Sequence, residues 1–211
     1  MRVLVTGGSR GIGKAIVDEF EKNGHIVYKP TRSELDLQNF TQLENIEFDI
    51  IINNAGINPI KPILEICNEE VMNVNYTSPL KIIQQCLPFM IKQQYGRIIN
   101  VGSIWIDIAK PQRAAYSASK SALHALTKAI AAEHGKDNIL ANTISPGFIL
   151  TDLTRQNNTQ EQINDLTQKI PVGRLGLPEE VAKLIYTLTI DNSYITGQNI
   201  KIDGGYTCAT Y

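Results

Sequence analysis

Val3-Leu4-Val5-Thr6-Gly7-Gly8-Ser9-Arg10-Gly11-Ile12-Gly13 is the stretch from which the fold can be read. Its first three residues make a short, β-branched-rich strand that runs straight into glycines. A helical pattern follows, with Ala15, Ile16 and Phe20 apolar and Asp18, Glu19 and Lys22 polar, and Asn23-Gly24 stops it. Strand, glycine-rich turn, helix is the setting in which a backbone can approach a pyrophosphate resting on a helix N-terminus. Gly7, Ser9, Arg10, Gly11, Ile12 and Gly13 therefore form a candidate phosphate cradle. A turn that serves tight packing alone is the competing reading.

Working outward, strands and helices alternate to the end of the chain. His25 to Lys29 reads as a second strand. Phe48-Asp49-Ile50-Ile51-Ile52 is a near-continuous apolar run, as expected of a strand covered on both faces. Gly96 to Ser103 and Asn138 to Ile144 are further strands, and another follows Thr196-Gly197-Gln198. Between them lie a long helical pattern from Glu69 to Gln94, which Pro79 and Pro88 should kink or divide, and a helix from Arg113 to about His134. Gln38 to Ile46 reads as an abbreviated helix. The expected fold is α/β: a single-domain, doubly wound parallel sheet over residues 1–211 with helices on both faces. The polar stretch 152–170 suits a substrate lid, and equally an ordinary surface helix.

Composition excludes several classes. The 211 residues carry 20 basic and 21 acidic side chains, a net charge of −1, which gives no electrostatic case for nucleic-acid or membrane partners. The N-terminal apolar run is too short for a signal peptide, and no run reaches membrane-spanning length, so a soluble, cytoplasmic protein is expected. Cys67, Cys86 and Cys208 form no C-x-x-C pair, and the three histidines show no ligand spacing, so no metal site is expected.

The chemistry points to Tyr116-Ser117-Ala118-Ser119-Lys120. Residues four apart on a helix share a side, which sets an ammonium beside a phenol. A free tyrosine has a pKa of ~10, so proton transfer near neutral pH needs a shift of ~3 units, or ~4 kcal/mol. One cation about 4 Å away supplies roughly that much at an effective dielectric near 20. Tyr-x-x-x-Lys also occurs by chance on solvated helix faces, so the pair gains weight only from what accompanies it.

Thr6-Gly7-x-x-x-Gly11-x-Gly13 together with Tyr116-x-x-x-Lys120 resembles the short-chain dehydrogenase/reductase family, and the likeness runs through nearly the whole chain, most closely to its 3-oxoacyl-acyl-carrier-protein reductase-like branch. The resemblance implies an oxidoreductase acting on a small-molecule ketone/alcohol pair. Ser103, thirteen residues before Tyr116, would orient the carbonyl; Tyr116 would be the general acid/base; Lys120 would lower its pKa and hold the nicotinamide ribose; Asn75 would position a water beside the lysine. Asn53-Asn54-Ala55-Gly56 matches the family's cofactor-lining motif, and Pro146, Gly147, Ile149 and Thr151 match the segment over the nicotinamide. Thr31 and Arg32 at the end of the second strand, with Arg10 in the glycine turn, point to NADP(H) over NAD(H), although either arginine could simply be solvated. Asp36 and Leu37 match the pair beside the adenine, and Asp36 could instead be a turn residue. Trp105 and Phe148 would place bulk beside the substrate, and the small residues of the Tyr116 helix imply a homodimer or homotetramer. A sugar or sugar-nucleotide ketoreductase is the alternative enzyme; a non-catalytic cofactor sensor on the same fold is the alternative of another class.

Overall fold

The computed structural model describes every residue except 152–153, 155–158 and 210–211. Six strands, β1 (Arg2–Val5), β2 (Ile26–Tyr28), β3 (Ile50–Asn53), β4 (Gly96–Val101), β5 (Ile139–Pro146) and β6 (Asn199–Ile202), form one sheet in the order β2-β1-β3-β4-β5-β6. All five pairings are parallel. The helices are α1 (Gly11–Lys22), α2 (Asn68–Met72), α3 (Ser78–Gln93), α4 (Ala114–His134), α5 (Gln160–Gln168) and α6 (Pro178–Ile190). The usual doubly wound order is 3-2-1-4-5-6. Here the same reversal falls at the first strand, with one strand on one side of β1 and four on the other. Ligands of such sheets bind where the strand order reverses, beyond the carboxyl ends of the strands; in this chain that crevice opens between β1 and β3.

Buried strands divide their side chains between two faces. Val3, Val5, Ile50, Ile52, Ile99 and Val101 pack on one side with Ile16 and Phe20 of α1 and Val181 and Ile185 of α6. Leu4, Ile51 and Ile98 point the opposite way, against Ile82, Ile83, Cys86 and Met90 of α3 and Ile130 of α4. The period of two along each strand produces this split. Each such side chain contributes about 1.5–3 kcal/mol on burial.

Two expectations need correction. Residues 38–46 form no helix. Leu37, Phe40 and Leu43 are buried as a helical spacing would suggest, but side chains of α3 take the backbone groups. Ser78 Oγ donates to the Leu37 carbonyl at 2.6 Å, Gln85 Nε2 donates to the Thr41 carbonyl at 3.1 Å, and Gln85 Oε1 accepts from the Leu43 amide at 2.8 Å. The long helical pattern is divided, but not at a proline. A π-helical turn over Asn73–Thr77 separates α2 from α3; Pro79 sits in the first turn of α3, where a missing N–H is harmless. In the stretch 152–170, α5 begins at a Thr159–Gln162 capping box; the remainder of the expected lid, 152–153 and 155–158, lies outside the described residues. No helix among the described residues is long and apolar enough to cross a membrane.

Candidate active site

The glycine turn has the geometry a phosphate cradle requires. Gly7 has φ +66°, open to glycine at little cost, and a Cβ on Gly13 would fall 2.0 Å from the Gly7 carbonyl oxygen. The helix therefore starts hard against the strand's end. α1 has no side-chain N-cap and no acid in its first turn, so its free N–H groups and positive dipole end face the crevice. Asn54 Nδ2 donates to the carbonyls of Thr6 (3.0 Å) and Gly7 (3.1 Å), and Thr6 Oγ1 accepts from the amides of Asn54 and Ala55, both at 3.1 Å. Asn53 points inward, donating to Asn100 at 2.9 Å. Thr151 reaches the turn from the opposite wall, its methyl 3.4 Å from where a Gly11 Cβ would lie. These residues fit a dinucleotide pyrophosphate.

Beyond β2, Thr31 donates to Glu34 through its amide (2.7 Å) and its hydroxyl (2.8 Å). Arg32 is 83% exposed and only 3.8 Å from Asp36. Asp36 accepts from Asn39 and from the Gln38 amide, and these bonds, with Arg32 behind them, hold its carboxyl below the ordinary range. Leu37 packs into the core beside Phe40 and Leu43. Ser9 and Arg10 are exposed at the mouth of the turn.

At the ends of β4 and α4 the other candidates converge. Ser103 is 6% exposed, and its hydroxyl accepts from the Trp105 amide at 3.3 Å. Tyr116 stands in the first turn of α4. Lys120 is 2% exposed and donates to the Val101 carbonyl at 2.7 Å, with its Nζ 5.8 Å from the centre of the Tyr116 ring. Gly56 makes room for that amine, since a Cβ there would come within 3.3 Å of it. Asn75, in the π-helical turn, clamps Ile57 by its amide and carbonyl, both at 2.9 Å, and donates to Ser119 Oγ at 3.0 Å. Ser119 in turn donates to the Tyr116 carbonyl at 2.8 Å. The Asn75 side chain thus joins the 57 loop to the first turn of α4 instead of facing open solvent. Ser119 is a positioning residue that sequence reasoning passed over, although it lies inside the Tyr-to-Lys span.

Burial pushes the Tyr116 phenol above its ordinary pKa; Ser103 and then the Arg113 charge pull it back. Arg113 is one cation that opposes burial there, while the Lys120 ammonium, 5.8 Å from the ring centre, donates to the Val101 carbonyl. Burial lowers Lys120 to about 8. An amine that holds its proton less tightly when folded destabilises the fold wherever it is charged. That penalty is fully present below about pH 8 and vanishes toward the unfolded lysine's value. Chemical denaturation should therefore show Lys120 contributing a stability gain of about 2 kcal/mol between pH 7.5 and 9.5, which Lys120→Met removes. An identical pH dependence in the variant would refute this.

Trp105, Phe148 and Tyr206 meet edge to face, with ring centres 6.1 Å and 5.0 Å apart. Tyr206 had no sequence signal beyond following Asp203-Gly204-Gly205. Gly147 lets the Pro146-to-Ile149 segment touch that turn, because a Cβ would lie 2.7 Å from Asp203 Cβ. An uncapped helix behind a glycine turn, a lysine-tyrosine-serine cluster at the end of β4 and the start of α4, and an aromatic wall define a dinucleotide-dependent oxidoreductase.

Comparison with known proteins narrows that class. Residues 36–207 match the family described as enoyl-(acyl carrier protein) reductase. The 3-oxoacyl-(acyl-carrier-protein) reductase FabG of Vibrio cholerae serotype O1 is 34% identical over 233 aligned positions, covering 96% of this chain and 95% of that protein. The structure of 4-hydroxyisoleucine dehydrogenase complexed with NADH superimposes with a TM-score of 0.87 at 30% identity, covering 99% of both chains. The Pseudomonas aeruginosa RhlG/NADP active-site complex gives 0.86 at 31%, covering 97% of this chain and 95% of that one. The chain belongs to the short-chain dehydrogenase/reductase family, whose members use a nicotinamide cofactor. With 233 positions aligned against 211 residues, at least 22 positions of the Vibrio protein face no residue here.

Proposed function

We propose that this protein is an NADP(H)-dependent reductase or dehydrogenase interconverting a ketone and a secondary alcohol, with 3-oxoacyl thioesters as the first substrate class to test. The convergence of Ser103, Tyr116 and Lys120 beside the glycine turn carries this reading. Bound nicotinamide supplies or accepts the hydride. Ser103 orients the substrate carbonyl by donating its hydroxyl proton toward the oxygen. Tyr116 then gives its phenolic proton to the nascent alkoxide, and takes one in the reverse direction. Lys120, held among Val101, Gly56 and Asn75, is the cation available to the cofactor ribose and to proton return. Asn75 and Ser119 fix the pose of Tyr116. The keeping of all these groups favours turnover over a sensor role.

Cofactor choice rests on Arg10 and Arg32. Arg10 is exposed, Arg32 has only the long 3.8 Å contact to Asp36 to give up before meeting a 2′-phosphate, and the Glu34 carboxylate is engaged by Thr31. Charge-assisted bonds of this kind contribute about 1.5–3 kcal/mol each. Arg32→Ala should therefore lower kcat/KM for NADPH about tenfold or more and hardly change it for NADH; equal losses with both cofactors would refute the assignment. The catalytic reading is tested by NADPH oxidation with acetoacetyl thioesters, simple ketones and keto sugars. Tight NADPH binding with no turnover across that panel would overturn it.

A further inference from the structure

Among the described residues Arg113 has no counter-charge. It precedes α4 as its N-cap residue, one turn before Tyr116, and its Nε and Nη1 are buried without a hydrogen-bond partner. Among the described residues no carboxylate pairs with it. Arg113 as a whole is half-buried, but a cation with two enclosed nitrogens is ordinarily matched by an anion, because leaving them unpaired is unfavourable. Two more cations gather around it. Lys110 lines the same cleft of about 740 Å³, its ammonium 5.6 Å above the Trp105 ring. Lys169, just past the end of α5, is close enough that it and Arg113, after burial itself, depress the Lys110 pKa. The carboxylate on this cleft, Asp107, is already engaged by Lys201 at 3.2 Å. The first turn of α4 contains no acid either, so its positive dipole end adds to the field. Lys110, Arg113 and a helix end thus line a space that no side-chain anion among the described residues fills, with Lys169 near enough to add to its field, and the Arg113 charge reaches the Tyr116 phenol.

We propose that Arg113, supported by Lys110 and Lys169, binds a carboxylate or phosphate carried by the carbonyl substrate, making this an enzyme of anionic ketones. The inference rests on Tyr116 and Ser103 being the reacting groups, so its test has one arm that needs no turnover. In the first arm, NADP+-loaded protein is titrated calorimetrically with succinate and, separately, with inorganic phosphate. At least one should bind, and Arg113→Gln should weaken it tenfold or more, whereas Arg113→Lys retains part of the affinity. The tighter of the two anions identifies the charged group. In the second arm, kcat/KM for acetoacetate is compared with that for its neutral methyl ester. A preference for the acid of tenfold or more, collapsing toward unity in Arg113→Gln, is the expected result. Binding of neither anion, or unchanged binding in Arg113→Gln, overturns the site. Turnover of the ester with no preference for the acid overturns the substrate class and leaves the ketone chemistry standing. Anion binding through Arg113 with no turnover of any ketone supports the anion site and removes the ketone reading. Because Arg113→Gln deletes a half-buried charge whose Nε and Nη1 are enclosed without a partner, it should melt no lower than the parent protein, which separates lost recognition from lost folding.

Discussion

Tyr116→Phe is expected to lower kcat by about 10²–10⁴-fold while NADPH affinity, followed by cofactor fluorescence, stays within about twofold. Phenylalanine keeps the ring that packs in the first turn of α4 and removes only the O–H. The surrounding scaffold should persist, since Ser119 bonds to the backbone carbonyl of residue 116 and not to its side chain. What disappears is the proton. Turnover within tenfold of the parent would mean that another group carries it, and the proposed mechanism would fall. The pH profile adds a second check. Burial raises the phenol while Ser103 and Arg113 oppose it, so Ser103→Ala should move the apparent pKa of the basic limb upward as well as weaken carbonyl orientation.

Gly13→Ala should eliminate measurable cofactor binding and destabilise the fold by about 3 kcal/mol. A Cβ there would lie 2.0 Å from the Gly7 carbonyl oxygen, 2.5 Å from Asn54 Nδ2 and 2.8 Å from the Gly7 carbonyl carbon. Two of those atoms are backbone, so nothing nearby can rotate out of the way; the helix must back off from the strand, opening the crevice where the pyrophosphate would rest. Gly135→Ala is the matching control. No atom stands within 4 Å of its Cβ and its φ is −56°, so its denaturation midpoint should be that of the parent or slightly higher. Wild-type NADPH affinity in Gly13→Ala would show that the turn is packing alone.

Much of this architecture could be read from one sequence because its signals are local. The glycines after β1 announce their turn, the Ile50–Ile52 run announces a strand covered on both faces, and Tyr116 and Lys120 declare themselves by helical spacing. The π-helical turn around Asn75 lies inside what reads in the sequence as one long helical pattern. The segment 38–46 misled for the opposite reason. Leu37, Phe40 and Leu43 recur every three residues, yet what decides their backbone is Ser78 and Gln85, some forty residues away. The orientation of Lys120 was likewise beyond reach of spacing, since it depends on the Val101 carbonyl at the end of a neighbouring strand. Arg113 looked like an ordinary helix-start residue. Only the three-dimensional arrangement reveals that its nitrogens are enclosed and unmatched. Tyr206 joins the aromatic wall by a contact that spans 58 residues of chain from Phe148.

The widened turn at Asn73–Thr77 works like an indexing notch between two toothed wheels. Each residue advances a helix by about 100°, so dropping one from this stretch would rotate everything on one side of it by more than a quarter turn. Either Asn75 would swing off Ile57 and Ser119, or Ile82, Ile83, Cys86 and Met90 would swing off the sheet. Substitutions here can be graded, but a change of length cannot. In these five residues the count itself is the working part.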